Sequence, residues 1–249
     1  MLGIILIATF VSSVVSLLGA YLLSRKSNWS QPFALHLTAL SSGVLLTTAL
    51  LHLAPETIAE LADPNLGFMA IFSGIIVFFL LERLVLWYHH HHDSHRAKPA
   101  VWLITVGDSV HNFIDGVAVA STLMVDPTLG LLTVVGVGLH EIPQEIADFA
   151  IMVNGGMNKK KALLLNGVSA MASVLGAVLT YLLINQLEPY IPLLIGFSAG
   201  MFLYIALADL IPEMHTHTTK DNDKWTQLVW FFGGIILLMW VTSVIPELH

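Results

Sequence analysis

The sequence predicts an all-α membrane protein of eight transmembrane helices, in which spans one to three return inverted as spans six to eight around a central pair. Three observations carry this expectation: the composition, eight apolar stretches divided by turn chemistry, and the placement of the basic residues. Of 249 residues, 56% are hydrophobic and 11% charged, and the mean hydropathy is +0.79. Soluble domains carry roughly 25% charged residues, so this composition cannot furnish a water-facing surface and the bilayer must be the solvent. The absence of cysteine excludes disulfides, thiolate metal sites and cysteine nucleophiles. The net charge of −7 mostly reflects a shortage of bases, and no nucleic-acid partner is expected.

A helix needs about 20 apolar residues to cross the hydrocarbon core. Eight stretches qualify: 2–23, 33–58, 66–88, 101–125, 129–153, 162–184, 191–211 and 225–245. Together they make a single transmembrane domain, 1–249. The first lacks a basic leader and a cleavage site, so it reads as a retained helix. Asp63-Pro64-Asn65, Asp126-Pro127, Asn154-Gly155-Gly156 and Glu188-Pro189 punctuate the series. All ten bases (Arg25, Lys26, Arg83, Arg96, Lys98, Lys159, Lys160, Lys161, Lys220, Lys224) fall in or beside the first, third, fifth and seventh connections. The positive-inside rule places those connections in the cytosol and both termini outside.

The repeat is weak but keeps its offset. Ser16-Leu17-Leu18-Gly19-Ala20 resembles Ser173-Val174-Leu175-Gly176-Ala177, and Gly43, Leu46, Ala49, Pro55 and Glu56 recur as Gly200, Leu203, Ala206, Pro212 and Glu213, both at an offset of 157. Phe72-Ser73-Gly74-Ile75-Ile76 resembles Phe232-Gly233-Gly234-Ile235-Ile236 at 160. Five intervening spans invert the second copy. Inverted repeats are characteristic of secondary transporters, whose sites lie near the midplane.

The central spans carry the chemistry. His111 and Asp115 are four apart on the fourth, hence one turn apart on one face, with Asn112 beside them. On the fifth, His140 and Gln144 share a face, and Glu141, Glu145 and Asp148 make a neighbouring one. Pro143 is expected to kink that helix and free a carbonyl for a polar pathway. Both histidines lie about 15–16 Å along their helices, near the bilayer centre, where ionised groups cost at least ~2.5–3.5 kcal/mol each. With no Lys or Arg at that depth, a divalent cation is the natural counter-charge. Imidazole with carboxylate suits Zn2+, Fe2+, Mn2+ and similar ions, whereas Ca2+ and Mg2+ prefer oxygen alone. Binding requires neutral histidine and ionised carboxylate, so metal entry is expected to displace protons.

His111-Asn112-Phe113-Ile114-Asp115-Gly116 and His140-Glu141-Ile142-Pro143-Gln144-Glu145 resemble the fourth- and fifth-span signatures of ZIP (Zrt-/Irt-like) metal transporters, in the branch with HNFxDG and HExPHExGD motifs. The stretches around Asp209 and Glu213, and around His52 and Glu56, resemble that branch too. The resemblance implies uptake into the cytosol of Zn2+, with Fe2+, Mn2+, Cd2+ and Co2+ left open, through a site lined by His111, Asp115, His140, Glu141 and Gln144. It places Asn112 at a neighbouring second site and implies a homodimer. Three positions depart from the pattern: Gln144 stands where the branch has His and other members Glu, Ser173 where some relatives have Glu, and Leu45 where some offer Met. One principal metal site with a weak or absent second follows. The form looks minimal and prokaryotic, which implies an inner cell membrane.

Inverted symmetry offers a matched polar pair at each mouth: His52 and Glu56 outside, Asp209 and Glu213 inside. Asp108, Glu145 and Asp148 are further candidates for the pathway. His89, His90, His91, His92 and His95, in a cytosolic loop at 89–98, and His215 and His217 in the seventh connection form a candidate metal trap. Lys159-Lys160-Lys161 reads as a topology signal and lipid contact. No enzyme is expected. The alternatives are an intramembrane zinc hydrolase, since His140-Glu141 begins an HExxH motif whose second histidine is Gln144, and a metal-sensing receptor.

Overall fold

A computed structural model describes residues 1–25, 31–91, 97–154, 156–216 and 221–244. Among these every regular element is helical: α1 (Leu2–Arg25), α2 (Gln31–Thr47), α3 (Ala54–Glu60), α4 (Pro64–His91), α5 (Ala97–Val125), α6 (Pro127–Asn154), α7 (Lys159–Leu182), α8 (Ile184–Leu187), α9 (Ile191–Tyr204), α10 (Ile211–Thr216) and α11 (Asp221–Val244). Two six-residue π-helical segments, Thr48–Leu53 and Ile205–Leu210, join α2 to α3 and α9 to α10 without a break. A 3-10 turn, Glu188–Tyr190, leads into α9. The helix boundaries follow the turn residues. Asp63 Oδ1 accepts from the Asn65 amide at 3.0 Å, Asp126 Oδ1 caps α6 through the Leu129 amide at 2.7 Å, and Gly156 takes the positive φ of 87° that favours glycine.

Six helical stretches are long and apolar enough to cross a membrane: Leu2–Gly19, Leu35–Glu60, Pro64–Leu84, Lys159–Leu182, Ile184–His215 and Lys224–Ser243. The other two long helices, α5 and α6, have 29 and 28 residues and carry the buried histidines and acids. The distribution of side chains suits an apolar solvent. Ile4, Ile7, Phe68, Phe72, Val229 and Ile236 point outward, while Ser12, Ser16, Ser41, Thr48, Thr122 and Ser169 are buried. Most of these hydroxyls need no distant partner, because they bond back along their own helix, as Thr122 does to the Ala118 carbonyl at 2.8 Å.

Without a hydrophobic drive between helices, close backbone approach at small residues holds the bundle together. A Cβ at Gly116 of α5 would collide with the Ser173 carbonyl of α7, and one at Gly176 of α7 with the Phe113 carbonyl of α5. The same reciprocal contact joins α2 to α11, with Gly43 against Phe231 and Gly234 against Leu40. It joins α4 to α9 through Gly200 against Ile71 and Gly74 against Phe197. A core of Leu45, Leu53, Val119, Ala120, Met201 and Phe202 fills the middle.

Two expectations change. Pro143 lies inside a continuous α6, and the Leu139 carbonyl four residues before it accepts the Ser41 hydroxyl at 2.7 Å. The carbonyl freed by proline is therefore occupied by α2 and is not open to a pathway. Ser41→Ala should leave it unsatisfied and lower stability by about 1–3 kcal/mol, read as a drop in the detergent melting midpoint. An unchanged midpoint would mean that another donor takes over. The loop placed at 89–98 is also shorter than expected: α4 continues through His91 and α5 begins at Ala97. His92, His95 and His217 lie outside the described residues.

Candidate metal centre

The four-residue spacing of His111 and Asp115 stacks both side chains on one face of α5, and α6 presents His140 and Glu141 to the same point. One ligand atom from each lies within 4.8 Å of all the others. His111 Nε2 is 3.0 Å from His140 Nε2, 3.4 Å from Asp115 Oδ2 and 3.3 Å from Glu141 Oε1. His140 Nε2 is 3.4 Å from Asp115 Oδ2 and 3.5 Å from Glu141 Oε1. A tetrahedral Zn2+ site with bonds of about 2.0–2.1 Å has ligand–ligand edges of about 3.3–3.5 Å. Four of the five edges match, and the histidine pair is slightly closer.

The cluster is dry. Asp115 and His140 have no exposed surface, and no oxygen of Asp115 or Glu141 accepts a hydrogen bond. Phe78 meets the His111 ring edge-on at 5.6 Å, and Phe202 meets His140 at 5.7 Å. His140 Nδ1 is 3.0 Å from the Gly136 carbonyl one turn back. Only a protonated Nδ1 can donate there, so neutral His140 directs the lone pair of Nε2 at the cluster, the arrangement of a metal-ligating imidazole. Two carboxylates and two neutral imidazoles carry charge −2, which a dication cancels. The group could therefore hold a metal ion without leaving net charge in a low-dielectric interior.

The other candidates are dispersed around this point. Asn112 donates from Nδ2 to Asp108 Oδ1 at 3.0 Å. Gln144 faces a cavity of about 490 Å³ that His111, Asp148, Asp209, Glu213 and Glu82 also line. Asp209 lies in the second π segment and Glu213 at the start of α10. Glu145 is fully buried behind the cavity wall. His52 occupies the first π segment with Nε2 unpartnered, Glu56 is half-buried on α3, and neither lines that cavity. His215 is exposed at the end of α10, and His89, His90 and His91 close α4. Leu45 is packed in the core, and Ser173 pairs with Ser13 at 3.1 Å.

Sequence reasoning missed Glu82, Tyr204 and Asn166. The Tyr204 hydroxyl donates to Glu82 Oε2 at the cavity, and Asn166 of α7 donates from Nδ2 to the Glu145 carbonyl at 3.0 Å. The signal available was a polar residue within an apolar run. Glu82 was masked by its neighbour Arg83, which reads as a cytosolic helix end.

An all-helical membrane protein with several apolar helices, enclosing a buried histidine–carboxylate cluster, belongs to the class of polytopic membrane proteins that can bind metal. The sequence profile of the ZIP zinc transporter family matches residues 1–100 and 88–242, and the chain belongs to that family. It is 34% identical to human zinc transporter ZIP6 over 138 residues, 55% of this chain and 18% of that protein. It is 40% identical to human zinc transporter ZIP10 over 124 residues, 49% of this chain and 15% of that protein. With human metal cation symporter ZIP8 the identity is 40% over 114 residues, 46% of this chain and 24% of that protein. The chain therefore spans less than a quarter of the length of these relatives.

Proposed function

We infer that this chain carries divalent transition-metal ions, Zn2+ foremost, across a bilayer into the cytosol. The observation that carries the reading is the near-tetrahedral set of His111, Asp115, His140 and Glu141. The reading counts α5 and α6 as the fourth and fifth of eight spans, since a helix of about 20 residues suffices. Their polar faces turn inward, as intramembrane ionisable groups do.

Inverted symmetry is part of the proposal, and the packing supports it. The π segments Thr48–Leu53 and Ile205–Leu210 are related by the offset of 157. The reciprocal glycine contacts of α2 with α11 and of α9 with α4 correspond through the offsets 157 and 160. His52 and Asp209 thereby occupy equivalent places in their π segments, a feature often found at functional sites. In this scheme His52 and Glu56 guard the outer mouth, and Asp209 and Glu213 the inner one. The cavity reaching from His111 to Glu213 is the cytosolic exit. Both termini lie outside, as the ten bases suggest, and the protein works as a homodimer of single-domain subunits in an inner cell membrane, as the family resemblance implies.

The ion binds neutral imidazoles and ionised carboxylates, so loading releases whatever protons the empty cluster holds. Asn112 and Gln144 are flanking polar groups, Gln144 offering an amide oxygen on the exit side. The identity among Zn2+, Fe2+, Mn2+, Cd2+ and Co2+ is set by geometry and supply; the tetrahedral edges favour Zn2+.

The test is Zn2+ uptake into proteoliposomes enclosing a fluorescent zinc dye. Uptake above protein-free liposomes is expected. Bound metal with no uptake would overturn the transport reading in favour of a sensor. Deleting His89–His92 from the same preparation is expected to change the rate of uptake without moving the saturating Zn2+ concentration, which the central cluster sets. A rate left unchanged would remove the histidine run from the exit path.

A further inference from the structure

On the inner side of the metal cluster, three helices bring together oxygen atoms that no hydrogen bond satisfies. Glu145 of α6 is fully buried, and neither of its carboxylate oxygens accepts a bond. Asp108 of α5 is 5% exposed; its Oδ1 accepts from Asn112 at 3.0 Å, while Oδ2 has no partner. Asn166 of α7 is fully buried and donates to the Glu145 backbone carbonyl, which leaves its Oδ1 unpartnered. Asp108 and Asp148 are electrostatic neighbours of Glu145, and both line the inner cavity.

We propose that Asp108, Glu145, Asp148 and Asn166 form a second cation site, built from oxygen ligands alone, that takes a hard divalent ion of the Mg2+, Ca2+ and Mn2+ class from the inner cavity. Buried acceptors gathered without donors require positive charge. A set with no imidazole or sulfur selects hard ions. Among the described residues, only the central cluster brings three or more ligand atoms from His, Asp or Glu within 4.8 Å of one another. The second site is therefore looser and holds its ion partly through retained water, which Mg2+ gives up reluctantly. A cavity of about 490 Å³ admits an ion with six waters at roughly 30 Å³ each.

The existence of this site does not depend on the transport reading, but its role does. If the central cluster releases a transition ion inward, an all-oxygen station binds that ion more weakly than imidazole does and rehydrates it on the way out. Cytosolic Mg2+ or Ca2+ resting there would slow release.

The test titrates Mn2+ into the full chain in lipid nanodiscs after one equivalent of Zn2+ has filled the centre, following loss of the free-ion electron paramagnetic resonance signal. One Mn2+ per chain is expected, displaced by millimolar Mg2+ or Ca2+. Binding should weaken at least tenfold in Glu145→Gln and in Asp148→Asn while the centre still holds Zn2+. If Glu145→Gln does not fold, Asp148→Asn at the cavity wall carries the comparison. No Mn2+ bound by the Zn2+-filled chain would mean that the carboxyls merely hold protons, and would overturn the proposal. Binding untouched by the folded variants would also overturn it, by placing Mn2+ on the histidine run or on lipid. Failure of Zn2+ uptake with the Mn2+ site intact would instead overturn the transport reading and leave this site standing.

Discussion

His140→Ala should abolish Zn2+ uptake and weaken Zn2+ binding by more than a hundredfold. His140 has no exposed surface, its Nε2 lies 3.0 Å from His111 Nε2 and 3.4 Å from Asp115 Oδ2, and its Nδ1 is fixed by the Gly136 carbonyl. Losing only the group that orients a metal-bound histidine typically costs about 10–100-fold in affinity; losing the ligand itself should cost more. The remaining three groups would carry charge −2 against a single imidazole, and the cavity left by the ring is closed by Phe202. Binding by calorimetry and uptake in proteoliposomes check this separately. If both survive at native values, the ion does not pass between α5 and α6.

Gly116→Ala should destabilise the fold by about 3 kcal/mol, the upper end of the usual cost of overpacking. The added Cβ would overlap the Ser173 carbonyl oxygen, carbon and Cα, and a backbone atom on a packed helix cannot swing aside as a side chain can. Relief requires α7 to move away from α5, which also disturbs the reciprocal contact at Gly176 and the wall behind Asp115. A lower melting midpoint in detergent and reduced Zn2+ binding are expected together. Gly167, one helix away, is the control: nothing lies within 4 Å of its Cβ position, so Gly167→Ala should be neutral or stabilising by up to ~1 kcal/mol. Equal midpoints for the two variants would contradict the close approach of α5 to α7.

The central pair was legible because helical periodicity is local. His111 and Asp115 must share a face whatever surrounds them, and α6 must place its own histidine at similar depth. Which residue of α6 completes the group was not legible. Periodicity groups His140 with Gln144, yet the cluster takes Glu141, whose carboxylate reaches the cluster to lie 3.5 Å from His140 Nε2, while Gln144 lines the exit cavity. Side-chain reach and the rotation of α6 against α5 decide that, and neither is written in spacing. The π segments escaped notice for a related reason. Pro55 and Pro212 looked like helix ends, but each follows a wider turn through which the helical path continues.

What the sequence determined by itself is the membrane setting, the apolar helices and the i, i+4 ligand pair, because hydropathy and helical periodicity act within one segment and need no partner. Tertiary structure alone decided the tetrahedral edges, the Ser41 bond that occupies the carbonyl freed by Pro143, and the glycine contacts that bring α5 against α7. It also decided the burial of Glu145 beside Asn166. Each of these depends on the distance and rotation between helices, which side-chain volume and backbone approach fix only when all the helices pack at once.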